Sequence, residues 1–139
     1  MTSFLFFFIK NSRLRFLSYP STKLFFICFS LNDEQSFEDI EKKWYPEVKK
    51  YCPDAAIVLL GLKMDLCYEQ KSDQTQKVPD VKIQTLCQKI DAKYCACSAK
   101  TGENISGTFS DCIEYGIEKK FKKKRKKSIT ETITGVFGK

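Results

Sequence analysis

A chain of 139 residues with 42% hydrophobic and 29% charged side chains is long enough for one ordinary domain and too apolar to be intrinsically disordered. Its formal net charge of +7 is local: KKFKKKRKK at 119–127 holds eight of the 24 basic residues, and the remaining 16 stand against 17 acidic ones. A near-neutral body argues against a uniformly basic nucleic-acid-binding face.

The amino end, MTSFLFFFIKNS, has an apolar run from Phe4 to Ile9. That run is too short for a spanning helix or a secretory h-region and has no basic flank or cleavage site. LFFICFS at 24–30 is a continuous apolar run, expected as a buried strand. Asn32 to Ser36 form a polar turn with a capping candidate. From Phe37 the apolar positions Ile40, Trp44, Tyr45, Val48 and Tyr51 follow helical spacing, and Pro46 should kink or split that helix. AIVLLGL predicts a second buried strand over 55–63. The polar stretch 67–80 reads as a surface excursion. Val81, Ile83, Leu86, Cys87 and Ile90 make one stripe of a helix over 81–92. KYCACSA at 93–99 predicts a third strand. Asn104 is the expected cap of a last helix over 105–124, with Ile105, Phe109, Cys112, Ile113 and Ile117 inward. The serine, threonine and glycine beyond it suggest a disordered end. Alternating strands and helices predict an α/β fold, a parallel sheet with flanking helices.

Seven cysteines at irregular spacing and no histidine make a poor disulfide framework. Cys95 and Cys97 share one side of a strand, but no second pair lies at a zinc-binding interval. Reduced thiols, several of them in the core, are the expectation.

In open parallel sheets, ligands sit beyond the carboxyl ends of the strands. The second strand ends with Lys63 and Asp65, and the third with Ser98, Ala99 and Lys100. A carboxylate can accept two parallel hydrogen bonds from the ring nitrogen and exocyclic amine of guanine, a donor pair that adenine does not present. A lysine stem can lie along a ring face. Backbone N–H groups after the third strand can reach the guanine carbonyl oxygen. Without further information, the simpler reading of Lys63 and Asp65 is a charged loop after a strand.

GLKMDL resembles the NKxD base-specificity motif of small GTPases, and CSAKTGENI resembles their SAK motif. RLRFLSYP at 13–20 and the segment from CFSLNDEQSFEDIEKKWYPEV to GLKMDL are similar to the Rho/Rac branch, and the resemblance runs continuously from 13 to about 127. It implies a P-loop NTPase fold in which Asp65 reads guanine, Lys63 and Lys100 cover the two faces of the base, and Ser98 and Ala99 approach its carbonyl oxygen. It also implies GTP or GDP as ligand, magnesium in a full-length form, and Rho-type regulators and effectors as partners.

Departures from the family are equally legible. Leu62 stands where the motif usually has asparagine, Phe16 where RLRPLSYP would have proline, and the Rho insert at 67–80 is several residues short. No G-x-x-x-x-G-K-[ST] occurs in the chain, and the switch I threonine, the DxxG aspartate and the switch II glutamine have no counterpart. The expected fold therefore lacks the first three strands and first helix of a small GTPase. Its expected divisions are an unrelated apolar leader at 1–12, a partial GTPase domain at 13–118, and a polybasic and disordered tail at 119–139.

These features predict a chain that keeps the guanine-reading half of a nucleotide site, is unable to hold phosphates or hydrolyse GTP, and would at best bind nucleotide weakly. The alternatives are an incomplete gene model of an ordinary GTPase, a nucleotide-free interaction protein presenting a Rho-like surface around Leu14, Leu17 and Trp44, or a product without function. LFFICFS would be an open sheet edge, which strand-like MTSFLFFFI could cover. The basic run suits an anionic membrane surface, a nuclear signal or a solvated helix end better than nucleic acid, since only Phe121 interleaves as an aromatic. The expected location is cytoplasmic or peripheral at a membrane, with no prenylation box at the carboxyl end.

Overall fold

The computed structural model describes residues 4–6, 15–68 and 77–137. Four parallel strands form one sheet in chain order: β1 (Phe4–Phe6), β2 (Leu24–Ser30), β3 (Ala56–Leu62) and β4 (Lys93–Ala96). β2 and β3 pair along seven residues, from Leu24 opposite Ala56 to Ser30 opposite Leu62. β4 joins β3 with Val58 opposite Lys93 and Gly61 opposite Ala96. The expected edge at LFFICFS is covered, because Phe4 to Phe6 pair with Leu24 to Phe26.

Both faces of the sheet are buried, which is why β2 and β3 read as unbroken apolar runs rather than alternating ones. Phe25, Ile27, Phe29, Ile57 and Leu59 enter one cluster with Phe37, Ile40, Val48, Ile83, Leu86 and Ile90 from the helical segments that follow β2 and β3. Leu24, Phe26, Ala56, Val58 and Leu60 point the other way and meet Phe109 and Cys112 of the last helix. The two-residue periodicity of a strand divides the core into these two layers.

After β2, Asp33 caps α1 (Glu34–Asp39) by accepting the Ser36 N–H at 3.2 Å. Pro46 divides the following helical segment as its chemistry demands. A proline ring clashes with the carbonyl four residues back and brings no N–H. The chain widens into a π turn over Ile40–Trp44, with the Tyr45 N–H bonded to the Ile40 carbonyl, and Pro46 then opens α2 (Tyr45–Tyr51) at a position that needs no donor.

Helix α3 (Asp80–Ile90) buries Ile83, Leu86, Cys87 and Ile90, but Val81 is 77% exposed, contrary to the stripe read from spacing. Val81 stands two residues before Ile83, about 200° around the helix, and so faces away from the buried stripe. The excursion before α3 is not wholly superficial: Val78 is fully buried and donates its N–H to the Leu31 carbonyl at 2.8 Å. Residues 69–76 lie outside the described residues.

Helix α4 (Ile105–Phe137) differs most from expectation. The helix continues past 124 to Phe137, where a disordered end was expected. Lysine and arginine are good helix formers, and the ion pairs Lys122–Glu118 and Lys127–Glu131 lie one turn apart along it. Its buried face carries Thr108, Cys112 and Gly116, while Ile113 and Ile117 are exposed. Gly116 explains that rotation: a Cβ there would stand 3.2 Å from Leu24 Cδ2, so the glycine is what brings this face onto β2. Asn104 does not act as a side-chain cap. Its carbonyl accepts the Thr108 N–H at 3.1 Å, and its amide turns to Met64 Sδ at 3.9 Å. The basic run is partly anchored to the body, with Lys119 paired to Asp91 and Lys123 to Asp54.

Candidate functional site

Strands β3 and β4 are adjacent and parallel, so their carboxyl ends open side by side. β4 ends at Ala96, shorter than the strand expected over 93–99, and the chain then turns away over Cys97 to Asn104. The two ends are stitched by backbone: Cys97 donates its N–H to the Gly61 carbonyl at 2.9 Å, and Met64 donates to the Cys97 carbonyl at 3.2 Å.

All five residues singled out in the sequence lie on these two loops. Asp65 sits in a short 3-10 turn, Met64–Cys67, and is only 7% exposed. Ser98 is fully buried, and its hydroxyl donates to Asp65 Oδ1. The Thr101 N–H in turn donates to Ser98 Oγ at 3.3 Å. The serine is thus the residue that orients the carboxylate, a role its motif position does not reveal. The structure therefore joins Asp65 to Ser98 directly. Lys63, Ala99 and Lys100 are exposed around them.

The backbone here is held in unusual conformations. Lys63 has φ 60° and ψ 42°, left-handed space that costs a non-glycine residue about 1 kcal/mol or more. Gly102 has φ 79° and Asn104 φ 58°, which turn the second loop back toward α4. The Ser98 N–H donates to the Glu103 carbonyl at 3.1 Å and the Gly102 N–H to the Ser98 carbonyl at 2.9 Å, closing a tight ring around the serine. Glycine and asparagine adopt this region readily, so of the three residues Lys63 is the one whose backbone carries a cost.

A second polar cluster joins two segments that lie far apart in the sequence, RLRFLSYP and WYPEV. Arg15, from RLRFLSYP, donates from Nε and Nη2 to the two carboxylate oxygens of Glu47, from WYPEV, each at 2.7 Å. The Tyr19 hydroxyl donates to the same carboxylate, and the Arg15 guanidinium lies 5.1 Å from the Trp44 ring centre. Burial alone would raise the Glu47 pKa, but the hydrogen bonds from Arg15 and Tyr19 outweigh it and hold the carboxyl below the usual range. Burial and the Glu47 carboxylate together push the Tyr19 hydroxyl well above its ordinary value. The cluster clamps the segment before β2 onto α2. Leu17, two residues beyond Arg15, is 76% exposed; Leu14 of the expected surface lies outside the described residues.

With this geometry in place, the family is clear. Over residues 10–131 the sequence matches the Ras family, and the chain belongs to it. Within that family, two of the curated proteins it resembles are Rho proteins by name. It is 34% identical over 126 residues to the GTP-binding protein rho4 of Schizosaccharomyces pombe, an alignment covering 86% of this chain and 62% of that protein. It is 37% identical over 111 residues to the GTP-binding protein rhoC of Emericella nidulans, covering 76% of this chain and 40% of that protein. The chain thus spans less than two thirds of the length of either relative. The parallel α/β sheet with helices on both faces agrees with a Ras-like fold, and no helix among the described residues is long and apolar enough to cross a membrane.

Proposed function

We propose that this chain supplies the guanine-recognising half of a Rho-type GTP-binding switch. The observation that carries the reading is the buried Asp65 carboxylate, oriented by Ser98 at the paired ends of β3 and β4. In that role Asp65 accepts from the guanine ring N–H and amine, while the stems of Lys63 and Lys100 flank the base and the Ser98–Ala99 backbone meets its carbonyl oxygen. GTP or GDP would supply the phosphates whose contacts report the state of the switch, and magnesium would join only through those phosphates.

The 139 residues contain no phosphate loop, so binding by this chain rests on the base alone. A few hydrogen bonds of about 1–3 kcal/mol each, set against the cost of association, leave affinity near millimolar. Phosphoryl transfer depends on positioning and charge around phosphate and metal, so hydrolysis by the chain alone is not expected.

Amide chemical-shift titration with guanosine, GDP and adenosine tests this. Guanosine and GDP should move the same resonances with similar weak affinity, adenosine should not, and Asp65→Ala should abolish the response. A GDP affinity many orders tighter than that of guanosine would show that the phosphates are held after all and overturn the base-only reading.

A second reading is an interaction surface for Rho-type regulators or effectors. Its support is exposed Leu17, on a segment fixed in place by the Arg15–Glu47 pair and by Arg15 over the Trp44 ring. The basic run at 119–127 would then add attraction to an anionic membrane surface.

A further inference from the structure

Four of the seven cysteines lie on the face of the sheet that α4 covers: Cys28 on β2, Cys95 and Cys97 at β4, and Cys112 on α4 itself. They are not equivalent. Cys95 Sγ and Cys112 Sγ stand 3.4 Å apart, and the two residues are 17 apart in sequence. In a disulfide the sulfurs are about 2.0 Å apart, so closure needs an approach of little more than an ångström. Cys95 is part-buried and Cys112 fully buried, so an oxidant reaches the first and the second lies behind it.

We infer that Cys95 and Cys112 form a redox-modification site, in which hydrogen peroxide converts the two thiols to a disulfide that ties β4 to α4. The Cys95 thiolate attacks one peroxide oxygen, the O–O bond breaks, and the departing hydroxide takes a proton to become water. Cys95 is left as a sulfenic acid. Cys112 then attacks the Cys95 sulfur, the S–OH bond breaks, and hydroxide leaves as water with the Cys112 proton. Two thiols lose two electrons and one peroxide becomes two waters.

The electrostatics favour Cys95 as the attacking sulfur. The hydrogen bond between the two thiols lowers the Cys95 pKa and raises that of Cys112, and Lys93 further favours the Cys95 thiolate, against the opposing effects of burial and Asp111. The Cys28 thiol, by contrast, is pushed up to about 11, mainly by burial. The nucleophile is the thiolate, so selectivity should follow this order.

The consequence lies next to the candidate base site. Residues 98–104, with Ser98, Ala99 and Lys100, bridge β4 to α4, and the disulfide would tie the strand before that loop to the second turn of the helix after it. Oxidation therefore fixes the loop that orients Asp65.

The test uses the whole chain, reduced, exposed to hydrogen peroxide, alkylated and digested with trypsin without reductant. The two cysteines fall on different peptides, 94–100 and 101–119. The expected result is loss of Cys112 alkylation and a cross-linked pair of these peptides from monomeric protein, two hydrogens lighter than their sum and abolished by dithiothreitol. Fragment ions between Cys95 and Cys97 should assign the bond to Cys95, and the cross-link should survive in Cys97→Ser. Assignment to Cys97, a bond found only between chains, or continued alkylation of Cys112 while other cysteines oxidise would each overturn the inference. The fragment ions from the unaltered chain decide the matter even if a variant fails to fold.

Discussion

Asp65 is a charge in a buried position, and Ser98 is what makes that position tolerable. Replacing Ser98 with alanine removes the donor and leaves the carboxylate underpaired. A loss of about 1–3 kcal/mol is expected, read as a lower urea midpoint with an unchanged slope. Glu47 is the other residue whose charge matters. Its folded pKa is depressed, so the unfolded chain takes up the proton first as pH falls. Its contribution is complete above the ordinary glutamate value of about 4.3 and is lost as pH falls below it, toward the folded pKa. Urea denaturation of the native chain should show this acid slope. In Glu47→Gln it should flatten, with the neutral-pH stability lower by about 1.5–3 kcal/mol, the worth of hydrogen bonds to a charged group.

Gly61 shows how an element depends on a missing side chain. A Cβ there would stand 2.8 Å from Leu31 Cδ2 and 3.1 Å from the Tyr94 hydroxyl, at the point where β3 hands over to the Lys63–Asp65 loop. Leu31 is buried and has little room to give, so Gly61→Ala should cost about 1–3 kcal/mol, measured as a lowered denaturation midpoint. The strands were legible because burial on both faces produces unbroken apolar runs. The break at Pro46 was legible because proline cannot continue a regular helix, although a π turn as the accommodation was not. Helix faces were read less well. Spacing placed Ile113 and Ile117 inward, yet the face that packs is the one with Gly116, and a glycine gives no signal in an apolar stripe.

At the scale of the molecule, β1 is the device that closes an edge. Three residue pairs between Phe4–Phe6 and Leu24–Phe26 occupy the side of β2 that would otherwise expose backbone donors and acceptors beside an apolar strand. Deleting residues 1–12 should therefore raise aggregation, seen as increased light scattering and loss of the monomer peak in size-exclusion chromatography. Monomeric behaviour equal to that of the intact chain would show that the pairing contributes little. The amino-acid sequence by itself determined the α/β order, the parallel sheet and the two loops that carry Lys63, Asp65, Ser98, Ala99 and Lys100. Those follow from local periodicity and from short motifs whose residues are neighbours in the chain. Only the tertiary structure decided that Ser98 orients Asp65 from 33 residues away, that Arg15 clamps Glu47 across 32, and that Cys112 lies against Cys95. Such pairs depend on strand register and on the rotation of a helix about its own axis, and both are set by packing between elements that the chain keeps far apart.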